Sequence, residues 1–284
     1  MIRKLVVATV AVIGLAACSK KTIQTTKNTT MNNKEKVVSL LKAIETGAAE
    51  PVAVINPNKY TQHNLGAEDG LVGFGKLLQQ LPAGSAKVNT VRVFQDGNYV
   101  FAHTDYNFFG PKIGFDIFRF EDGKIVEHWD NLQQTAGPNP SGHTMIDGPR
   151  EATDLDKTET NKNLVRSFVD DILVNGRMEK LTGYFNGDNY IQHNPQIGDG
   201  LSGLGKALEA MAAAGITMKY NTIHKVLGEG NFVLVVSEGT FGGKHTSFYD
   251  LFRVEDGMIA EHWDSLEEIP SREQWKNNNG KFGF

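Results

Sequence analysis

Residues 116–130 read DIFRFEDGKIVEHWD and residues 250–264 read DLFRVEDGMIAEHWD, identical at eleven of fifteen positions. In each, an Asp-Gly step sits between two apolar-rich runs, the signal of a β-hairpin. A second matched pair precedes the first. YTQHNLGAEDGLVGFGKLLQQL begins at Tyr60 and YIQHNPQIGDGLSGLGKALEAM at Tyr190, with eleven of twenty-two positions identical. The offset is 130 residues at His63/His193 and 134 at Asp130/Asp264, so the copies differ by about four inserted residues. A period this long is that of a duplicated domain, not of a solenoid repeat.

Both copies follow one plan. Val37, Leu40, Leu41 and Ile44 fall at i, i+3, i+4, i+7, as do Val165, Phe168, Val169 and Ile172, which predicts an opening amphipathic helix. A short strand carries Tyr-x-Gln-His-Asn. A second helix opens at Asp69-Gly70 or Asp199-Gly200, and its interior glycines predict close packing against a neighbour. Four strands follow, in the first copy over roughly 87–95, 98–108, 113–120 and 124–130. Helices followed by antiparallel strands give an α+β class, with a curved sheet wrapped on helices as a cone around a pocket. The expected organisation is a signal peptide at 1–17, a tether at 18–33, domains at 34–134 and 158–266, a linker at 135–157 and a tail at 267–284.

The composition is globular, with 40% hydrophobic and 22% charged residues. A net charge of −4 gives no basic face for nucleic acid. The N-terminus begins with Arg3-Lys4 and an apolar run over 5–17, too short to span a bilayer as a helix. It ends in Leu15-Ala16-Ala17-Cys18, which resembles a bacterial lipoprotein lipobox. That resemblance implies lipidation of Cys18 and anchoring in the bacterial cell envelope on the non-cytoplasmic side, periplasm or outer membrane. Cys18 is the only cysteine, so no disulfide and no thiol nucleophile is expected.

Strand parity decides which side chains meet, and the hairpin can be read two ways. A two-residue Asp-Gly turn pairs Glu121 with Lys124 and puts Asp116, Phe118 and Phe120 with Ile125, Glu127 and Trp129. A three-residue loop with a Gly bulge pairs Phe120 with Lys124 and puts Asp116 with Val126, His128 and Asp130. A one-residue slip exchanges the whole set, and parity leaves both open.

The pattern D-x-F-R-x-E-D-G-x-I-x-E-H-W-D, preceded by Y-x-Q-H-N, resembles the SnoaL-like branch of the NTF2-like superfamily, to which ketosteroid isomerase also belongs. The likeness runs over nearly all of both copies and implies two tandem cone-shaped α+β barrels, a fold often dimeric through its sheets. In SnoaL-type polyketide cyclases a strand Asp is the general acid/base, which implies that role for Asp130 and Asp264. The pocket Asp of the isomerase matches Asp116 and Asp250, and its base falls at His63 and His193. Its oxyanion Tyr falls on the first helix, where this chain has apolar residues near Leu41 and Val169. These positions share a cavity only with the bulged loop, which is therefore the expected register.

The candidate constellation is His63, Asp116, His128 and Asp130, repeated as His193, Asp250, His262 and Asp264. Phe118, Phe120, Val126, Phe252 and Val254 are the expected pocket walls. Imidazoles and carboxyls among apolar walls can move a proton alpha to a carbonyl, with buried carboxyls shifted towards useful pKa values. This predicts a cofactor-independent cyclase or isomerase-type enzyme on a small, mostly apolar carbonyl compound. The alternatives are a non-catalytic lipoprotein that binds a small hydrophobic ligand, and buried Asp–His pairs that serve only the fold. Two His and two Asp suit zinc by type, but no close-spaced motif such as H-x-x-x-H occurs, so neither metal nor cofactor is expected. His103-Thr104-Asp105-Tyr106 stands against Val236-Ser237-Glu238-Gly239 and has no counterpart in the second copy. Trp129 and Trp263 fall on the outer sheet face, which predicts that the copies cover them as an intramolecular pseudo-dimer.

Overall fold

The computed structural model describes residues 31–81 and 84–284. The expected signal segment, Cys18 and most of the tether lie outside the described residues. Helix α1 (Asn33–Thr46) starts at a capping box, in which Glu35 N donates to Asn32 Oδ1 at 2.9 Å and Asn32 N donates to Glu35 Oε2 at 2.8 Å. It stops at Gly47, whose φ of +70° is the left-handed C-cap that glycine favours. Strand β1 (Thr61–Gln62), helix α2 (Gly70–Gln80) and strands β2 (Lys87–Asp96), β3 (Tyr99–Asn107), β4 (Pro111–Glu121) and β5 (Lys124–Gln134) complete the first half. The second half repeats the plan as α3 (Thr158–Phe168), β6 (Ile191–Gln192), α4 (Gly200–Ala213), β7 (Met218–Glu229), β8 (Phe232–Phe241), β9 (Lys244–Glu255) and β10 (Met258–Glu268). Each half has one five-stranded sheet, ordered β1-β5-β4-β3-β2 and β6-β10-β9-β8-β7, with the two-residue strand parallel and the rest antiparallel. Val37, Leu40, Leu41, Phe118, Phe120 and Ile125 pack the first cone; Val165, Phe168, Val169, Phe252, Val254 and Ile259 pack the second.

The hairpin takes the turn of one reading and the inner face of the other. Asp122 (φ +47°) and Gly123 (φ +73°) form a two-residue turn that pairs Glu121 with Lys124, not the three-residue loop. The register then shifts, because Phe120 pairs with Ile125 but Arg119 pairs with Glu127, leaving Val126 as a bulge. The extra residue restores the parity that the turn denied, so Ile125, His128 and Asp130 share the inner face with Asp116. The second half has the same turn at Asp256-Gly257 and the same bulge at Ala260.

Trp129 and Trp263 lie on the other face. Both are fully buried in a cluster drawn from both sheets, with Phe94, Phe101, Phe115 and Ile117 from the first and Leu227, Phe232, Leu234 and Leu251 from the second. The segment expected as a linker is a strap on the second half. Asn139 Nδ2 donates to Gln192 O (2.6 Å) and Ile197 O (2.9 Å), Thr144 O meets His193 Nδ1 (2.8 Å), and Asp147 O accepts from Trp263 Nε1 (3.0 Å). The tail does the same to the first half. Asn277 Nδ2 donates to Asn64 O (2.7 Å) and Ala67 O (2.9 Å), Gly280 O meets His63 Nδ1 (2.8 Å), and Phe284 stacks on Trp129 at 4.5 Å. Each strap follows the strands of one half and closes over the other. Deleting residues 276–284 is expected to wet Trp129, seen as a red shift of tryptophan emission together with a lower Tm.

Candidate functional site

A cavity of about 900 Å³ opens in the second half, walled by Phe168, Leu204, Ala207, Met211, Phe252 and Leu266. The first copy carries the larger Phe74 and Leu77 where the cavity has Leu204 and Ala207. Polar side chains converge on it: Tyr190, Gln192, Asn194, Tyr220, Asp250, His262 and Asp264. Sheet register brings them there. Asp250 and Asp264 are direct cross-strand partners, and His262 shares their face two residues before Asp264. Gln192 pairs with His262 in the parallel bridge.

Hydrogen bonding fixes the ring orientation. Gln192 Oε1 accepts from the backbone N–H of His193 (2.9 Å) and Asn194 (3.0 Å). An oxygen so held accepts a hydrogen from His262 Nδ1 at 3.0 Å, which leaves Nε2 facing Asp250 Oδ1 at 3.1 Å. Two acceptors cannot approach so closely without a hydrogen between them, so the His262–Asp250 pair holds a proton. The first half repeats this with Gln62 Oε1 to His128 Nδ1 (3.0 Å) and His128 Nε2 to Asp116 Oδ1 (3.1 Å). One nitrogen or oxygen atom from each member of the trios Asp116/His128/Asp130 and Asp250/His262/Asp264 lies within 4.8 Å of those of the other two.

A tyrosine completes each trio, from different strands. Tyr106 on β3 donates to Asp116 Oδ2 at 2.7 Å, opposite Val88 on β2. In the second half the tyrosine is Tyr220 on β7, opposite Gly239 on β8, and its hydroxyl lies 3.2 and 3.3 Å from the Asp250 oxygens. Gly114 admits the Tyr106 ring, since a Cβ there would lie 2.7 Å from it; Tyr220 instead stacks on Phe248 at 4.2 Å. Burial, reinforced by the neighbouring carboxylates, pushes both phenols well above their ordinary range.

The second aspartates are held alike, but only Asp264 lines the cavity. Asn64 and Asn194 each donate to one oxygen, of Asp130 and Asp264 respectively, at 2.6 Å. Asp130 Oδ1 and Asp264 Oδ1 are both buried with no hydrogen-bond partner among the described residues, and Asp264, only 7% exposed, lines the cavity. Burial raises the Asp264 pKa and Asp250 adds to it, outweighing the charge of His262 and the Asn194 bond.

His63 and His193 are not part of these trios. Gln62 and Gln192 take the inner face of the short strands, so the next residue turns outward. His63 stacks on Trp129 at 4.7 Å with Nε2 3.0 Å from Glu127; His193 stacks on Trp263 at 4.6 Å with Nε2 2.8 Å from Glu261. These histidines fasten the straps. Val126 is not a wall either, because it is the bulged residue, while Ile125 faces inward in its place. Phe118, Phe120 and Val254 pack the cone cores, and Phe252 both packs and lines the cavity. Sequence reasoning missed Gln62/Gln192, Tyr60/Tyr190 and Asn64/Asn194, which the Y-x-Q-H-N stretch displays. Tyr106 and Tyr220 have no repeat signal, since they occupy different strands.

Glu127 carries a pH consequence. Burial alone would raise its pKa, but hydrogen bonds from His63 and Arg119 lower it below the ordinary value of 4.5. A carboxyl with a depressed folded pKa contributes stability above its unfolded pKa and loses it as pH falls through the folded value. Hydrogen exchange in residues 276–284 is therefore expected to accelerate below about pH 4.5, ahead of that in the strands.

Residues 165–262 match the SnoaL-like domain family. Similar solved structures include an NTF2-like protein of unknown function from Cytophaga hutchinsonii, 17% identical over 37% of this chain and 94% of that one, TM-score 0.33. They also include a proposed ketosteroid isomerase from Kribbella flavida (18%, 40% and 83%, TM-score 0.34) and IdmH, a proposed polyketide cyclase from Streptomyces antibioticus (17%, 34% and 89%, TM-score 0.30). The search of curated proteins gave no match. The match to the SnoaL-like domain family thus covers residues 165–262, and the first half repeats the same α+β element order and sheet topology.

Proposed function

We propose that the second-half cavity performs cofactor-independent acid–base chemistry, of the cyclase or isomerase type, on a small, mostly apolar carbonyl compound. The observation that carries this reading is the unpartnered Asp264 Oδ1, buried in an apolar cavity beside a proton-holding His262–Asp250 pair. A desolvated carboxylate is a stronger base than one in water. Asp264 takes the proton alpha to the carbonyl, and the electron pair of the C–H bond moves onto the carbonyl oxygen as an enolate. Tyr190 accepts from Gln192 Nε2 at 3.2 Å, which leaves its own hydroxyl hydrogen for that oxygen. The enolate then regains the proton at another carbon, or forms a C–C bond to a second carbonyl within the same molecule while Asp264 returns the proton to the alkoxide. Either outcome balances without a redox partner. The pseudo-dimer and a lipid anchor at Cys18, on the non-cytoplasmic side of the envelope, belong to the same proposal.

Carriage of a hydrophobic ligand is the competing reading, favoured by Leu208, Ile216 and Met218, which are both exposed and part of the cavity lining. The test is exchange of alpha protons for deuterium in a panel of ketones, followed by NMR, with wild type, Asp264→Asn and Asp130→Asn. Exchange that depends on Asp264 supports catalysis. Tight ligand binding with no exchange, unaffected by Asp264→Asn and weakened by Phe252→Ala, would establish carriage instead.

A further inference from the structure

The straps differ at one chemically decisive place. Thr144 and Gly280 present equivalent carbonyls to His193 and His63, so the next residues, Met145 and Lys281, correspond. Lys281 is 4% exposed; its ammonium lies 2.7 Å from Glu267 Oε2 and 3.9 Å from Asp130 Oδ1. Met145 is 3% exposed, and Gln133 stands at the position 134 residues before Glu267. Both of those strand-end residues make the same backbone bond to the other half. Gln133 Oε1 accepts from Leu266 N at 2.9 Å, and Glu267 Oε2 accepts from Leu132 N at 3.1 Å. The charge of Glu267 is not needed for that bond, and its buried cation partner is Lys281.

We infer that the strap residue decides which half holds a titrating carboxyl: Lys281 holds Asp130 as a fixed carboxylate, and Met145 leaves Asp264 free to gain and lose a proton. Lys281 and Met145 are positioning residues, acting through the aspartates. The other groups facing Asp130 are Asp116, His128, Tyr60, Tyr106, Asn64 and, from the second sheet, Tyr249. Those facing Asp264 are Asp250, His262, Asn194, Tyr190 and Tyr220. The two sets match residue for residue except for the source of the second tyrosine, the added Tyr249, and the lysine with its glutamate. An ammonium within about 4–6 Å lowers a carboxyl's proton affinity by about 10- to 1,000-fold. The consequence for turnover rests on the proton transfer proposed above; the titration does not.

The test exchanges the pairs. Met145→Lys with Gln133→Glu builds the first-half arrangement in the second, and Lys281→Met with Glu267→Gln does the reverse. Carboxyl carbons of ¹³C-labelled aspartate are titrated by NMR in the full chain, with Asp264→Asn and Asp130→Asn assigning the signals. The first exchange is expected to lower the proton affinity of Asp264 at least tenfold, and the second to raise that of Asp130 at least tenfold. Unmoved midpoints in variants with wild-type circular dichroism overturn the inference. If a paired variant fails to fold, the Asp130 midpoint in Lys281→Gln decides the matter by the same criterion. Shifted midpoints with no alpha-proton exchange leave the strap assignment standing and remove only the proposed reaction. Asp264-dependent exchange with unmoved midpoints does the opposite.

Discussion

Asp264→Asn is expected to slow alpha-proton exchange by about 10²- to 10⁴-fold, the usual contribution of a positioned general acid/base, while Asp130→Asn changes it only a few-fold. The substitution is nearly isosteric. Its amide oxygen can still accept from Asn194 Nδ2, which now meets Asp264 at 2.6 Å, so pocket shape and ligand affinity should persist. Stability separates loss of chemistry from loss of fold. A buried carboxyl whose folded pKa is raised contributes most below its unfolded pKa, and that contribution is lost as pH rises through the folded value. Near neutral pH the ionised Asp264 therefore costs stability, and Asn should leave the protein as stable as wild type or more so. Reduced exchange in an equally stable variant identifies a base; equal exchange in Asp264→Asn removes Asp264 from the mechanism.

Trp263→Ala is expected to destabilise the chain by about 3–5 kcal/mol, the usual cost of a buried aromatic-to-alanine change, out of a typical total of about 5–15 kcal/mol. The indole is fully buried. His193 stacks on it at 4.6 Å, the Arg92 guanidinium lies 4.3 Å from its ring centre, and its Nε1 donates to Asp147 O at 3.0 Å. It joins the inter-sheet cluster to the first strap. Gly148, with φ +92°, is fitted to it, since a Cβ there would lie 2.8 Å from the indole. Removing the ring should lower the urea midpoint and open residues 139–149 to hydrogen exchange. Trp263→Phe keeps part of the apolar body without the donor and should lie between the two. A wild-type midpoint for Trp263→Ala would show that the indole does not couple the halves.

Much of the fold was legible because it depends on periodicities. The first-helix positions Val37, Leu40 and Leu41, and their counterparts Val165, Phe168 and Val169, are all buried as their spacing predicts. The second-helix glycines were half legible. A Cβ at Gly73 would lie 2.0 Å from the Glu68 carbonyl oxygen, whereas Gly75 faces open space. Bulge placement was not legible, because no local signal in Ile-Val-Glu-His singles out Val126 as the unpaired residue. The inner-face trio was reached by a loop that the chain does not use. His63 was misplaced for a related reason: in a two-residue strand one step of parity decides everything, and the pattern cannot show which residue pairs inward. The straps were unreadable since their Asn side chains bond to backbone carbonyls of a segment distant in sequence. Such bonds leave no period, and the composition reads as a loop.

The crossed straps have a consequence for the order of assembly. The ribosome releases the first sheet long before residues 276–284, so Trp129 must wait for its covering ring until the second sheet has been made. Cutting the chain near residue 150 would yield two fragments, each carrying the closure of the other and lacking its own. Neither fragment should mature alone, and the two together should complement in trans.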